Sequence, residues 1–244
     1  MVRSGAAQEL YLELLKKTIL FEIWLEHEPG ATSQNRLNGL DWPQIAHSMI
    51  GRLRMNQLHE SMKSVIQDRV EGDFIETGVW RGGACIFMRG FLKAYGITGR
   101  RVWVADSFEG LPPPDVEKYP VDAGLELHTV DFLKVSMEEV ARNFQKYDLL
   151  DSQVQFLKGW FKDTLPSAPI DKIAIARLDG DMYSSTMDSL TNLYPKVSPG
   201  GYIIIDDYAI SNYAPAVHDF RNLHQIQDPL IQIDYYGAYW RKSK

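Results

Sequence analysis

The chain has 244 residues, of which 45% are apolar and 24% charged. That composition suits a globular protein with room for one α/β domain and an appended element. A net charge of -6 argues against a nucleic-acid partner, which selects a basic face. The single cysteine, Cys85, permits no intrachain disulfide, and no window approaches the roughly 18 apolar residues of a membrane span. A cytoplasmic protein with no membrane partner is the expectation.

In chain order, the stretch "AAQELYLELLKKTILFEIWLE" repeats apolar residues at Leu10, Leu14, Ile19 and Phe21, roughly helical spacing. "EPGATSQNRLNGLDWP" reads as a loop. "PQIAHSMIGRLRMNQLHESMKSVIQD" reads as a second helix with Pro43 in its first turn. Residues 1–71 thus form a helical front, expected to act as a lid and oligomerisation segment. Its apolar residues fall on more than one helix face, which points to burial against another surface, either a second copy in a homo-oligomer such as a dimer or tetramer, or its own domain.

From Gly72 the pattern alternates. Strands are expected in "GDFIETG", "RRVWVADSF", "VQFLKGW", "DKIAIARLDGD" and "GGYIIIDDY". Helices are expected in "GGACIFMRGFLKAYG", "MEEVARNFQKYDLL", "STMDSLTNLYPKV" and "APAVHDFRNLHQIQ". Such alternation builds a doubly wound, mostly parallel sheet. "IQIDYY" and "AYWRK" lie too close for a crossover and should form an antiparallel hairpin about Tyr236-Gly237. Residues 72–244 are therefore expected to be an α/β domain of the S-adenosylmethionine (SAM) methyltransferase type. The segment 109–135 interrupts it with four prolines and no clear period, as a functional lid would.

The loop "IETGVWRGGA" places Glu76, Gly78, Gly82 and Gly83 after the first strand. In an open α/β sheet, ligands bind at the carboxyl ends of the strands. The G-x-G-x-x-G spacing that cradles a pyrophosphate is absent, and an acidic residue precedes the first glycine. That suits a ligand with an ammonium group and no phosphate, such as SAM, although a plain tight turn would look alike. Asp106 ends the second strand, where a carboxylate binds ribose hydroxyls or caps a turn. Trp160 or Phe161 in "GWFKDTLP" could face an adenine ring or pack in the core.

The fourth strand of the alternation ends on Asp179 and Asp181, the fifth on Asp206 and Asp207. Adjacent strands would gather four carboxylates at one rim. Unpaired, they would repel one another and hold their protons. Oxygen-only ligands fit a hard cation, Mg²⁺ or Ca²⁺; a solvated, helix-capping rim is the plainer reading. A cation there could chelate two oxygens of a diol, with a nearby carboxylate accepting a proton.

"GDFIETGVWRGGACIFMRG", "VWVADSFEGLP", "FLKGWFKDTLP", "RLDGDMYSSTMD" and "VSPGGYIIIDDY" together resemble the macrocin O-methyltransferase family. "YLELLKKTI", "AHSMIGRLRMNQL" and "GAYWRK" extend the resemblance over nearly the whole chain. It implies the class I SAM methyltransferase fold, with a seven-stranded sheet. It also implies Mg²⁺-dependent transfer of a methyl group to one hydroxyl of a vicinal diol on a deoxysugar, in a glycosylated small-molecule acceptor such as a macrolide. Carried over by motif, Asp179, Asp206 and Asp207 become metal ligands and Asp181 the general base. Glu76, Gly78, Asp106, Ser107 and Trp160 hold SAM, with Met49, Thr77, Val79, Trp80, Phe108, Gly159 and Asp179 beside them. Met55, His128 and Tyr183 are expected at the acceptor, His128 also as second choice for the base, and His47 near the methionine part of SAM. Two further readings stand: a metal-dependent O-methyltransferase of catechol-like molecules, and a catalytically silent SAM-binding protein.

Overall fold

The computed structural model describes residues 5–209 and 213–243. Seven strands form one sheet: β1 (Asp73–Thr77), β2 (Val102–Asp106), β3 (Val154–Lys158), β4 (Ile173–Leu178), β5 (Val197–Ile205), β6 (Ile231–Gln232) and β7 (Ala238–Arg241). Their order is β3-β2-β1-β4-β5-β7-β6. The first five run parallel; β7 pairs antiparallel with both β5 and β6. Strand order reverses between β1 and β4, so the carboxyl ends of these two strands flank the crevice where such folds bind ligands. The tight hairpin is present, and β7 rather than β6 lies against β5.

The central strands are apolar on both faces because helices cover both. In β1, Phe74 belongs to the core on one side of the sheet and Ile75 to the core on the other, as strand alternation requires. On the Phe74 side lie α1 (Ala6–Ile19), α3 (Gly51–Gln67), α4 (Gly83–Ala94) and α5 (Met137–Lys146). Leu12, Leu15 and Ile19 of α1 pack in the same core as Phe87 and Phe91 of α4. The other side is filled from α7 (Tyr183–Leu193) and α8 (Tyr213–Leu223), with Leu190, Val217 and Phe220 against Ile203 and Trp240.

Three local expectations change. The buried stripe of α1 is Leu12, Leu15 and Ile19, whereas Leu10 and Leu14 are 71% and 56% exposed; the helix is turned relative to the face the apolar count chose. The presumed loop before Pro43 contains a short helix, α2 (Ser33–Asn38), capped by the Thr32 hydroxyl accepting from the Asn35 N–H and closed by Gly39 in the left-handed region. Helix α3 starts only at Gly51, so Pro43 lies in irregular chain. Between β3 and β4 stands a further one-turn helix, α6 (Phe161–Thr164). Segment 109–135 is a covering loop with short 3-10 turns at Pro120–Asp122, Leu127–Thr129 and Asp131–Leu133. No helix among the described residues is long and apolar enough to cross a membrane.

Candidate active site

A cavity of about 710 Å³ opens at the carboxyl ends of β1, β2, β4 and β5, in the size range of small-molecule sites. Its walls come from the glycine loop, the covering loop, the segment around Trp42 and Met49, and the β6–β7 turn at Tyr236.

Close backbone contact builds its floor. Gly78 has φ +83°, and a Cβ there would sit 1.6 Å from the Asp179 carbonyl oxygen. Only glycine lets the end of β1 lie against the end of β4. Gly83 plays a similar part further out: its N–H donates to the His47 carbonyl at 3.0 Å, and a Cβ would meet that oxygen at 2.4 Å. The helical front is thereby held on the glycine loop.

The carboxylates divide into two groups. Asp179, Asp181 and Asp207 each present an oxygen within 4.8 Å of the others, a spacing a single hard cation could span. Asp207 Oδ2 is buried with no hydrogen-bond partner among the described residues, as expected of a group left for a ligand. Burial raises the pKa of all three. Asp206 adds to this for Asp179, Asp179 for Asp181, and Asp181 for Asp207. The donor set therefore fits a divalent cation.

Asp206 is placed differently from the metal-ligand expectation. One of its oxygens accepts from Arg177 and the other from Arg54 Nη1, the latter at 2.6 Å. Burial would raise its pKa, but Arg177 and Arg54 more than offset that and lower it. Asp206 and Asp207 both line the cavity, and of the two only Asp207 belongs to the cluster of mutually close oxygens. A carboxylate has about four lone-pair sites, so these ion pairs leave Asp206 some capacity.

Arg177 and Arg54 escaped the sequence reading. Arg177 is wholly buried in β4 and pairs with Glu76, Asp206 and, at 3.0 Å, Asp179. Arg54, on α3, also donates to Asp234 at 3.0 Å and to the Gly39 carbonyl at 3.0 Å. An arginine inside "IAIARLD" was a readable signal, because a charge in an apolar strand demands a buried partner. Arg54 gave none; its carboxylate lies 152 residues away.

Of the residues expected to hold the cofactor, Met49, Glu76, Gly78, Val79, Trp80, Asp106, Ser107, Trp160 and Asp179 line the cavity. Glu76 accepts from Cys85 Sγ at 2.9 Å as well as from Arg177, and burial pushes its pKa up to about 7 against the pull of Arg177. Asp106 accepts the Val79 and Phe108 N–H groups, each at 2.7 Å, and so fixes the turn it borders. Thr77, Phe108 and Gly159 lie off the cavity wall. Thr77 hydrogen-bonds Ser189, Phe108 is core, and the Gly159 N–H donates to the Asp106 carbonyl.

The acceptor-side expectations fare less well. Met55 is 0% exposed in the core beneath α3. Tyr183 turns outward to donate to Asp219, and neither it nor His128 is on the cavity wall. His47 bonds Tyr147 at 2.7 Å behind the wall, and burial lowers its pKa to about 4. The loop-built part of the cavity wall is Leu40, Trp42, Tyr119, Leu127, Leu133 and Tyr236, from segments without a periodic signal.

A family model described as macrocin-O-methyltransferase (TylF) matches residues 26–242. The chain is 50% identical to mycinamicin III 3''-O-methyltransferase of Micromonospora griseorubida, covering 96% of this chain and 97% of that protein. It is also 50% identical to the 8-demethyl-8-(2,3-dimethoxy-alpha-L-rhamnosyl)-tetracenomycin-C 4'-O-methyltransferase of Streptomyces olivaceus, covering 97% and 94%. The solved structure of the O-methyltransferase NovP superposes with a TM-score of 0.94 at 49% identity, over 97% of this chain and 100% of that one.

Proposed function

The chain belongs to the macrocin O-methyltransferase family, and on that footing we propose that it methylates one hydroxyl of a vicinal diol on a deoxysugar of a glycosylated natural product, with SAM as methyl donor and Mg²⁺ as a required cation. The observation that carries the cation part is the cluster of Asp179, Asp181 and Asp207 on the floor of a cavity that also bears Glu76, Gly78, Asp106 and Trp160. The relatives' names support the sugar: the tetracenomycin relative's name carries a rhamnosyl group and a 4' position, and the mycinamicin relative's name a 3'' position. The tetracenomycin relative's name sets its target 4'-hydroxyl beside a methoxy-bearing carbon, so there the neighbouring oxygen is an ether.

SAM supplies an electrophilic methyl group, and a divalent cation supplies Lewis acidity to an acceptor oxygen. The protein's part is placement and proton transfer. Gly78 lets the ends of β1 and β4 close against each other on the cavity floor, and Asp106, Ser107 and Trp160 offer polar and aromatic contacts on the β2–β3 side. Asp181, its pKa raised by burial and by Asp179, takes the hydroxyl proton as general base. Arg177 and Arg54 fix Asp206 and, through it, the geometry of the rim. The covering loop excludes water from the site.

Asp179 and Asp207 are cation ligands in either of two arrangements. The family motif supplies Asp206 as the third; the oxygen spacing supplies Asp181. Methyl transfer to glycosylated macrolides and aminocoumarins, measured with Mg²⁺ and with EDTA, tests the reaction. Asp181→Asn and Asp206→Asn separate the arrangements. A base variant keeps Mg²⁺ affinity and loses turnover, whereas a ligand variant loses both. Turnover that survives EDTA would sink the metal role. A catechol acceptor turned over in preference to the glycosides would replace the sugar reading. The homo-oligomer is likewise a proposal, supported by the exposed Leu10 and Leu14 on α1; sedimentation velocity reads it.

A further inference from the structure

Helix α7 begins directly after Asp181, and its N-cap residue is Met182, which has no side-chain oxygen to offer the first-turn amides. The cap comes from elsewhere. Asp122, in the middle of the covering loop, is 0% exposed. Its Oδ1 accepts the Tyr183 N–H at 2.8 Å and its Oδ2 the Ser184 N–H at 3.0 Å, across 61 and 62 residues of sequence. A carboxylate at this end also complements the helix dipole.

Two further features make this more than a tether. Tyr119 and Leu127, on either side of Asp122 in the chain, both line the cavity, so lifting Asp122 moves that wall. On the other side, a Cβ on Gly180 would lie 3.0 Å from Ser185 Cβ, so the first turn of α7 packs directly on the Asp179–Asp181 turn. Asp181 itself sits at φ +56°, a strained conformation for a residue with a side chain that its surroundings must hold.

We propose that Asp122 is a positioning residue: the seated loop supplies the cap of α7, so enclosing the acceptor and fixing the Asp179–Asp181 turn are one event. The inference rests on the reading of Asp181 as a group at the reacting centre. It follows that an open loop is accompanied by a loosened carboxylate turn, and the base is in place only once the acceptor is covered.

Hydrogen exchange on the full chain tests the coupling without an acceptor. Asp122→Ala should speed exchange of residues 182–186 together with 115–127 by at least about fivefold, the scale of a lost cap, and leave 73–78 unchanged. SAM affinity should hold, because the glycine loop is untouched. With an acceptor, kcat should fall by about tenfold or more, the scale of a misplaced reacting group, and by more than KM changes. Asp122→Asn keeps one acceptor oxygen and should recover part of both effects; it also serves if the alanine variant does not fold. Wild-type exchange at 182–186 with a faster covering loop would overturn the proposal. So would undiminished kcat with both segments loosened, or a loss of SAM binding that parallels the loss of activity. A wild type that methylates no sugar acceptor would overturn the reading of Asp181's reaction, and the exchange result would still decide whether the loop holds α7.

Discussion

Two places in this molecule bury charge, and they handle it in opposite ways. Between α1 and α3, Lys16 lies beside His59, with Nζ donating to Asn56 Oδ1 at 2.8 Å and an ion pair to Glu13. The His59 Nδ1 is 3.4 Å from that ammonium, and its ring meets Phe87 and Phe91 edge-on. Burial, then Lys16, lowers the His59 pKa to about 4, so the pocket keeps one cation and a neutral neighbour. At the carboxyl rim of the sheet, Glu76, Asp179, Asp181, Asp206 and Asp207 surround two arginines. There burial raises Glu76, Asp179, Asp181 and Asp207, so the rim relieves its surplus by holding protons, while Arg177 and Arg54 keep Asp206 charged. One pocket sheds a proton and the other takes protons up, and protons on clustered carboxylates are what a cation could replace.

The largest effect should come from breaking the rim at its centre. Arg177→Met leaves Glu76 and Asp206 each short of a buried partner. Removing one member of a buried ion pair costs about 3–5 kcal/mol, so urea denaturation should show a loss of that size, and SAM and Mg²⁺ affinity should both fall. A loss below about 1 kcal/mol, the scale of an exposed pair, would mean that solvent already screens the rim. Lys16→Met, the parallel change in the other pocket, removes one cation from beside a neutral ring and should cost less.

The next effect is smaller and opposite in sign. Asp179, Asp181 and Asp207 repel one another, so Asp207→Asn should stabilise the protein in EDTA, and it should abolish the rise in melting temperature expected of the wild type with Mg²⁺. A gain of about 1 kcal/mol would raise the melting point by about 2–4 °C in a chain of this size. The pH dependence sharpens this. Asp181 is held at about 8, above the usual carboxylate value of 3.8, so between those pH values the folded state binds more protons than the unfolded one. Stability in EDTA therefore falls as pH rises across that window, and Asp207→Asn should flatten the fall. Destabilisation by this substitution in EDTA at pH 8 would show that the cluster is already compensated.

The strand-end part of the cavity wall was legible in the sequence. Glu76, Gly78, Asp106 and the two acidic pairs each sit where an apolar run stops, and an open α/β sheet puts those points on one edge. The loop-built part was illegible for the converse reason. Trp42, Tyr119, Leu127 and Leu133 come from loops without period, and which of their side chains turn inward is decided by tertiary contacts such as the Asp122 cap. Met55 was misplaced because helical spacing says that a residue is buried, not whether core or cavity receives it. Asp206 entered the ligand set by family motif, and no motif records that Arg177 and Arg54 engage both its oxygens. The α1 face was misread because Leu10 and Leu14 share helical spacing as well as Leu12 and Leu15 do.

The smallest predicted effect tests the other pocket. The folded His59 pKa lies below its ordinary 6.5, so between about pH 6.5 and 4 the unfolded chain binds the extra proton. Stability from this group is present above pH 6.5 and is lost on acidification through the window, opposite in sign to the rim. His47 has a similarly lowered pKa, and the rim titrates across the same range, so a single stability profile would blend them. The difference between His59→Phe and wild type cancels every group but the one replaced. Phenylalanine loses the contact to Lys16 and fits among Phe87 and Phe91, which sets a pH-independent offset. On that offset, the variant should gain on the wild type steadily as pH falls below 6.5, read by denaturant midpoints at half-unit intervals. A difference that stays level down to pH 4 would mean that His59 is protonated in the folded protein, held against Lys16 by Glu9 and Glu60, and that the α1–α3 pocket tolerates two buried cations.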